Sequence, residues 1–134
     1  MSNKAELRRR RAEYTSEKSS KGKELKGLES DKKRLEKAIK SAKEIKDDFD
    51  SENKTYSGIT IEKDEWSGET KNKADDKKED LDEAISDYGD KYDEAIDQMN
   101  SDLEKLETKI EGVETDISEL SSRIDSINRQ LAAD

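Results

Sequence analysis

From Leu81 onward the apolar residues fall at steps of three and four: Leu81, Ile85, Tyr88, Tyr92, Ile96, Met99, Leu103, Leu106, Ile110, Val113, Ile117, Leu120, Ile124, Ile127 and Leu131. This spacing keeps one narrow apolar row along one side of an α-helix, the mark of a coiled-coil seam. The alternation breaks once, where Tyr88, Tyr92 and Ile96 follow one another at steps of four. Such a stutter locally relaxes left-handed supercoiling. Gly89 lies inside it, and glycine weakens a helix by about 1 kcal/mol relative to alanine, so a slight bend or a close helix approach is expected there. A stripe this thin cannot be buried by one helix alone.

The first half of the chain supplies a fainter partner. Leu7, Tyr14, Leu28, Leu35, Ala42 and Phe49 stand at multiples of seven, with Lys21 interrupting the row. Leu25, Ile39 and Ile45 form a companion row, with Lys32 and Lys46 at weaker positions. Between the halves periodicity stops, Gly and Ser appear, and Ile59-Thr60-Ile61 alternates as a short extended segment does. The expectation is an all-α protein, a long antiparallel two-helix hairpin of coiled-coil type forming one domain over residues 1–134. Its helices run from about 4 to 54 and from about 69 to 132, with a turn at about 55–68. Asp64 or Ser67 is placed to cap the second helix.

Charge supports the folding back. Residues 1–50 hold 16 basic and 11 acidic side chains, and residues 51–134 hold 11 and 25. Pairing about the turn is expected to set Arg8–Arg11 near Glu111, Glu114, Asp116 and Glu119. The stretch from about Ser121 then overhangs, and Ile124, Ile127 and Leu131 need another protein to cover them. With Ile117 and Leu120, and with Tyr88 and Tyr92, they form the candidate partner interface. Aromatics dominate binding hot spots, although the two tyrosines and Phe49 are read first as seam residues of the hairpin.

Composition excludes several functions. The chain is 47% charged and 28% hydrophobic, with no cysteine, histidine or proline. A disulfide framework, thiol redox chemistry and a Cys/His zinc site are therefore out of reach. The usual base for a Ser nucleophile is also missing. The carboxylate groups Asp75/Asp76/Glu79/Asp80 and Asp87/Asp90/Asp93/Glu94 lack the ligand spacing of a calcium loop and read as solvated helix faces. Two helices offer no concave pocket to perturb a pair of carboxylates, so no catalysis, cofactor or metal is expected. A net charge of −9 argues against a nucleic-acid binder. Arg8–Arg11 are read as a solvated helix end rather than a phosphate or membrane contact. No apolar run approaches the roughly 20 residues that span a bilayer, so no membrane insertion is expected. No apolar segment follows Met1 as in a Sec signal peptide. The expected location is the cytoplasm, with any export by a route that needs no cleaved signal.

The lone tryptophan heads the tripeptide Trp66-Ser67-Gly68, in the only break between the two amphipathic stretches. There the indole is expected to pack between the helix ends while Gly68 permits a tight turn. A W-x-G turn in a small acidic Cys-free hairpin resembles the WXG-motif helical-hairpin superfamily of type VII secretion. The stretch Glu65-Trp66-Ser67-Gly68-Glu69-Thr70-Lys71-Asn72-Lys73-Ala74-Asp75-Asp76 looks like the turn of its YwqH-like branch. Members of that branch are encoded beside LXG polymorphic toxins in Gram-positive bacteria. The resemblance implies a small targeting partner that binds the helical N-terminal LXG domain of a toxin and helps present it for export, with a second small helical accessory protein as a further partner. Substrates of such systems often carry a Tyr-x-x-x-Asp/Glu signal. Here Tyr88 is followed four residues on by Tyr92, Tyr92 by Ile96, and Phe49 by Asn53. An export signal is therefore expected from a partner or from a joint surface. The competing expectation is a structural coiled coil, a homodimeric or higher homo-oligomeric spacer, which the heptads fit equally well.

Overall fold

A computed structural model describes residues 2–57 and 68–133. Two helices make up the structure: α1, Ser2–Ser57, and α2, Gly68–Ala132. Against the limits that periodicity suggests, α1 begins two residues earlier and ends three later, and α2 begins one residue earlier, because capping residues and helix ends carry no apolar signal. Lys54 and Arg129 stand in the last turns, where a cation complements the helix dipole. Thr15, Thr55, Thr108 and Thr115 donate their hydroxyls to the carbonyl four residues back, which accommodates a β-branched polar residue inside a helix. The fold is all-α, the two helices packing together as a helical hairpin.

Two compact units divide the chain, a terminal unit of Met1–Glu36 with Asp102–Asp134, and a central unit of Lys37–Ser101. In the terminal unit Arg11 donates to Asn128 Oδ1 at 3.0 Å, the Lys21 ammonium lies 3.4 Å from Asp116, and the Arg123 guanidinium sits 5.6 Å from the Tyr14 ring centre. The helices are therefore antiparallel here. In the central unit Lys46 reaches Asp93 at 3.5 Å and Phe49 meets Tyr88 with ring centres 5.2 Å apart, again antiparallel.

This register corrects two expectations. Arg11 faces Asn128, not the acidic residues 111–119, and Asp116 belongs to Lys21 instead. Arg9 and Arg10 are neutralised within their own helix, by Glu13 at 2.9 Å and Glu6 at 3.2 Å. The C-terminal stretch consequently has α1 beside it. Ile127 and Leu120 are each 5% exposed, and Ile117, Ile124 and Leu131 are half-buried, so α1 already covers them. The excess length of α2 lies at its start: Tyr56, next to the last residue of α1, is level with Lys78, 5.1 Å from its ring.

Burial also redraws the seam. Along α1 the half-buried and buried residues are Lys4, Leu7, Arg11, Tyr14, Lys21, Gly22, Leu25, Leu28, Lys32, Leu35, Ile39, Ala42, Lys46, Phe49, Asn53 and Tyr56. That is a continuous three–four pattern apart from exposed Lys18 and the additional Gly22. Long lysine stems serve because their methylenes cover the seam while the ammonium reaches its edge. On α2 the buried residue between Ile85 and Tyr92 is Gly89 and not Tyr88. With Gly89 in the row, the steps from Ile85 through Tyr92, Ile96 and Met99 to Leu131 alternate four and three without a break. The stutter disappears.

Candidate partner-binding surface

The large apolar side chains left exposed are Ile45 at 54%, Leu81 at 49% and Tyr88 at 54% among the described residues. All three belong to the central unit. Their exposure follows from local packing. A Cβ built on Gly89 would stand 3.2 Å from Phe49 Cε1, so the absent side chain is the space that the Phe49 ring uses. Since Gly89 takes the seam position, its neighbour Tyr88 is turned about 100° away around the helix and onto the flank. The same substitution operates on α1. Lys46 takes the seam, its side chain only 15% exposed, and Ile45 is left outside.

Ile45 precedes Phe49 by one turn, and Leu81 precedes Tyr88 by two, so each pair shares a helix face. Phe49 and Tyr88 join the two rows, and Tyr88 also lies 6.1 Å from the Tyr92 ring centre at a tilt of 39°. Tilted contacts at these distances are favourable for aromatic pairs. The result is an apolar and aromatic surface built from both helices.

Charged groups fix its foundation. The Lys46 ammonium bonds Asp50 at 2.6 Å, approaches Asp93 at 3.5 Å and lies 5.8 Å from the Phe49 ring centre. The Asp50 hydrogen bond, helped by both carboxylates and opposed by burial, holds the lysine above its ordinary pKa of 10.5. Burial raises the Tyr56 phenol above its ordinary 10.0, and the Asp82 carboxylate adds to the rise while Lys78 opposes it. Neither arrangement aims a reactive group at a cavity, and among the described residues no three acidic side chains converge as metal ligands do. The surface can bind by apolar contact and charge.

The candidate interface residues therefore separate. Tyr88 is exposed and Tyr92 half-buried beside it, whereas Ile117, Leu120, Ile124, Ile127 and Leu131 line the hairpin's own seam. The first-helix reading is corrected as well, since Ile45 leaves the companion row and Lys46 enters it. Trp66, Ser67 and the candidate cap Asp64 lie outside the described residues, and Gly68 is the first residue of α2. Sequence reasoning missed Ile45 and Leu81 as surface residues. The available signal was the break at Tyr88, which vanishes once the adjacent glycine is counted as a seam position.

Among comparisons with known proteins, a family model described as YwqH-like matches residues 9–129. No curated protein and no solved structure matches the chain. No helix among the described residues is long and apolar enough to cross a membrane.

Proposed function

The chain belongs to the YwqH-like family, and from that premise we propose that it is an accessory partner of an LXG-type toxin. It binds the helical N-terminal domain of that toxin and assists its export by a type VII secretion system. The match over residues 9–129 carries the reading, because it takes in most of both helices and the Glu65–Asp76 stretch that resembles the branch's turn. The surface on the central unit supports it further: a hairpin that fills its own seam yet exposes three large apolar side chains is suited to docking. In this reading the chain has no catalytic residue, cofactor, nucleic-acid partner or membrane-inserted part. It is made in the cytoplasm, acts with a second small helical protein, and leaves the cell, if at all, by a signal-peptide-independent route.

The test is co-expression with the N-terminal region of the toxin encoded beside it, followed by purification through a tag on the toxin region alone. Stable co-purification is expected. Failure with every neighbouring toxin would remove the proposal. The second reading, a homo-oligomeric spacer, draws on the heptad rows. Against it stands the burial of Ile39, Ile96, Ile110, Val113, Leu120 and Ile127 within a single chain, which the hairpin reaches without a second copy. Light scattering should give a monomer. A tight dimer or tetramer would favour the spacer.

A further inference from the structure

In the terminal unit, the contacts of Arg11 with Asn128, Tyr14 with Arg123 and Lys21 with Asp116 set the two helices level with one another. In that register Leu25 stands level with Val113, Leu28 with Ile110 and Leu35 with Leu103. Only Lys32 interrupts this apolar stretch of α1. Toward the chain ends the match fails, and it fails on α1 alone. Ile117 and Leu120 are level with Lys21 and Lys18, and Ile127 with Arg11. Between Tyr14 and Leu25 α1 carries no apolar side chain, Lys18 is exposed, and half-buried Gly22 has nothing within 4 Å of where its Cβ would lie.

Leu120 and Ile127 are nonetheless only 5% exposed. Their cover at these layers is the stems of long cationic side chains, which lose much rotamer freedom when ordered. The ion pair adds little, since Lys21 and Asp116 are 38% and 47% exposed and water screens them. The backbone is weak at the same place, because Ser19, Ser20 and Gly22 are all poorer helix formers than alanine. The first turn of α1 holds Lys4 and no acid, the wrong sign for the positive end of the helix dipole.

We propose that residues 2–22 of α1 form a strap that leaves α2 as one unit, with its hinge at Gly22, while the layers of residues 25–35 stay closed. Opening uncovers Ile117, Leu120, Ile124, Ile127 and Leu131 without unfolding the remainder of the hairpin. Segments with the fewest buried apolar contacts open in this way. The order of the layers makes the strap a unit. Leu7 and Tyr14 lie beyond the weak layers, so a break at the root releases both together instead of fraying α1 turn by turn from its start.

The chain has no cysteine, so a single cysteine at a buried α2 position reports opening by its rate of thiol labelling. Ile127→Cys and Leu120→Cys lie under the strap, and Ile110→Cys lies beyond it, level with Leu28. All three sites are buried. The first two should label at the same rate, at least about tenfold faster than Ile110→Cys. Their rates should depend little on urea, because opening the strap exposes little surface. Amide exchange on the unaltered chain should agree, with residues 7–21 sharing one level of protection below that of residues 25–35. Lys18→Leu with Lys21→Leu fills two layers and should slow labelling of Leu120→Cys at least about tenfold. Lys32→Leu should slow Ile110→Cys and leave Leu120→Cys unchanged, since its layer stays closed when the strap opens. Ile127→Cys labelling well ahead of Leu120→Cys, with protection graded along residues 7–21, would replace the strap by simple fraying. Rates at Leu120→Cys that match Ile110→Cys, that respond equally to Lys32→Leu, or that ignore the Lys18 and Lys21 changes would each overturn it.

Discussion

Gly89 and Phe49 show how a missing side chain can decide which neighbours face a partner. The ring occupies space beside the glycine backbone that an alanine methyl would enter at 3.2 Å from Phe49 Cε1, closer than ordinary van der Waals contact. Gly112, by contrast, has nothing within 4 Å of where its Cβ would lie. Gly112→Ala should therefore gain the full helix-propensity difference, about 0.5–1 kcal/mol by urea denaturation. Gly89→Ala should gain clearly less, because the ring must shift; an equal gain would mean that Phe49 does not depend on the notch. Lys46 and Tyr56 make a pH prediction. Both hold their protons more tightly when folded than their ordinary values of 10.5 and 10.0. Their contributions are complete below those values and are lost as pH climbs through the raised folded ones. Melting temperature should be level in this respect up to about pH 9 and fall above about pH 10. Lys46→Arg, which keeps its charge, should flatten part of that fall.

At the scale of the helices, the polar pairs set the register. Heptad seams permit sliding by seven residues, since apolar rows meet equally well after each shift. One heptad either way would set Phe49 against Asp82 or Ile96 in place of Gly89, and would part Lys21 from Asp116 and Arg11 from Asn128. In the observed register Ile127 is buried by α1, so Ile127→Ala should cost about 2–3 kcal/mol in the isolated chain, measured by chemical denaturation. No loss would mean that the C-terminal turns are uncovered after all. The two helices and most of the α2 seam were legible from spacing, because a three–four apolar row has no other good use. The register was not, because it depends on which lysine meets which aspartate across 10 undescribed residues, 58–67. Nor were the exposures of Ile45 and Tyr88. A row of apolar letters counts side chains, whereas the seam is filled by volume, and a glycine opposite a ring or a lysine stem can occupy it as well as an isoleucine.

For the whole molecule, the two units differ in charge and in apolar exposure. The terminal unit balances its charges and buries Ile110, Val113, Leu120 and Ile127, which suits a stabilising role. The central unit holds the net charge of −9 and all three exposed large apolar side chains found among the described residues. Binding there should weaken with salt, since screening shortens the reach of its field. A tenfold rise in ionic strength should slow association with a basic partner by about an order of magnitude or more, as stopped-flow fluorescence would read. Hydrogen–deuterium exchange on the chain with and without a co-expressed LXG region tests the account most directly. The prediction is that protection on binding concentrates in residues 45–56 and 78–92, with the backbone of 117–131 unchanged. Protection confined to 117–131 would contradict it, returning the interface to the ends of the hairpin.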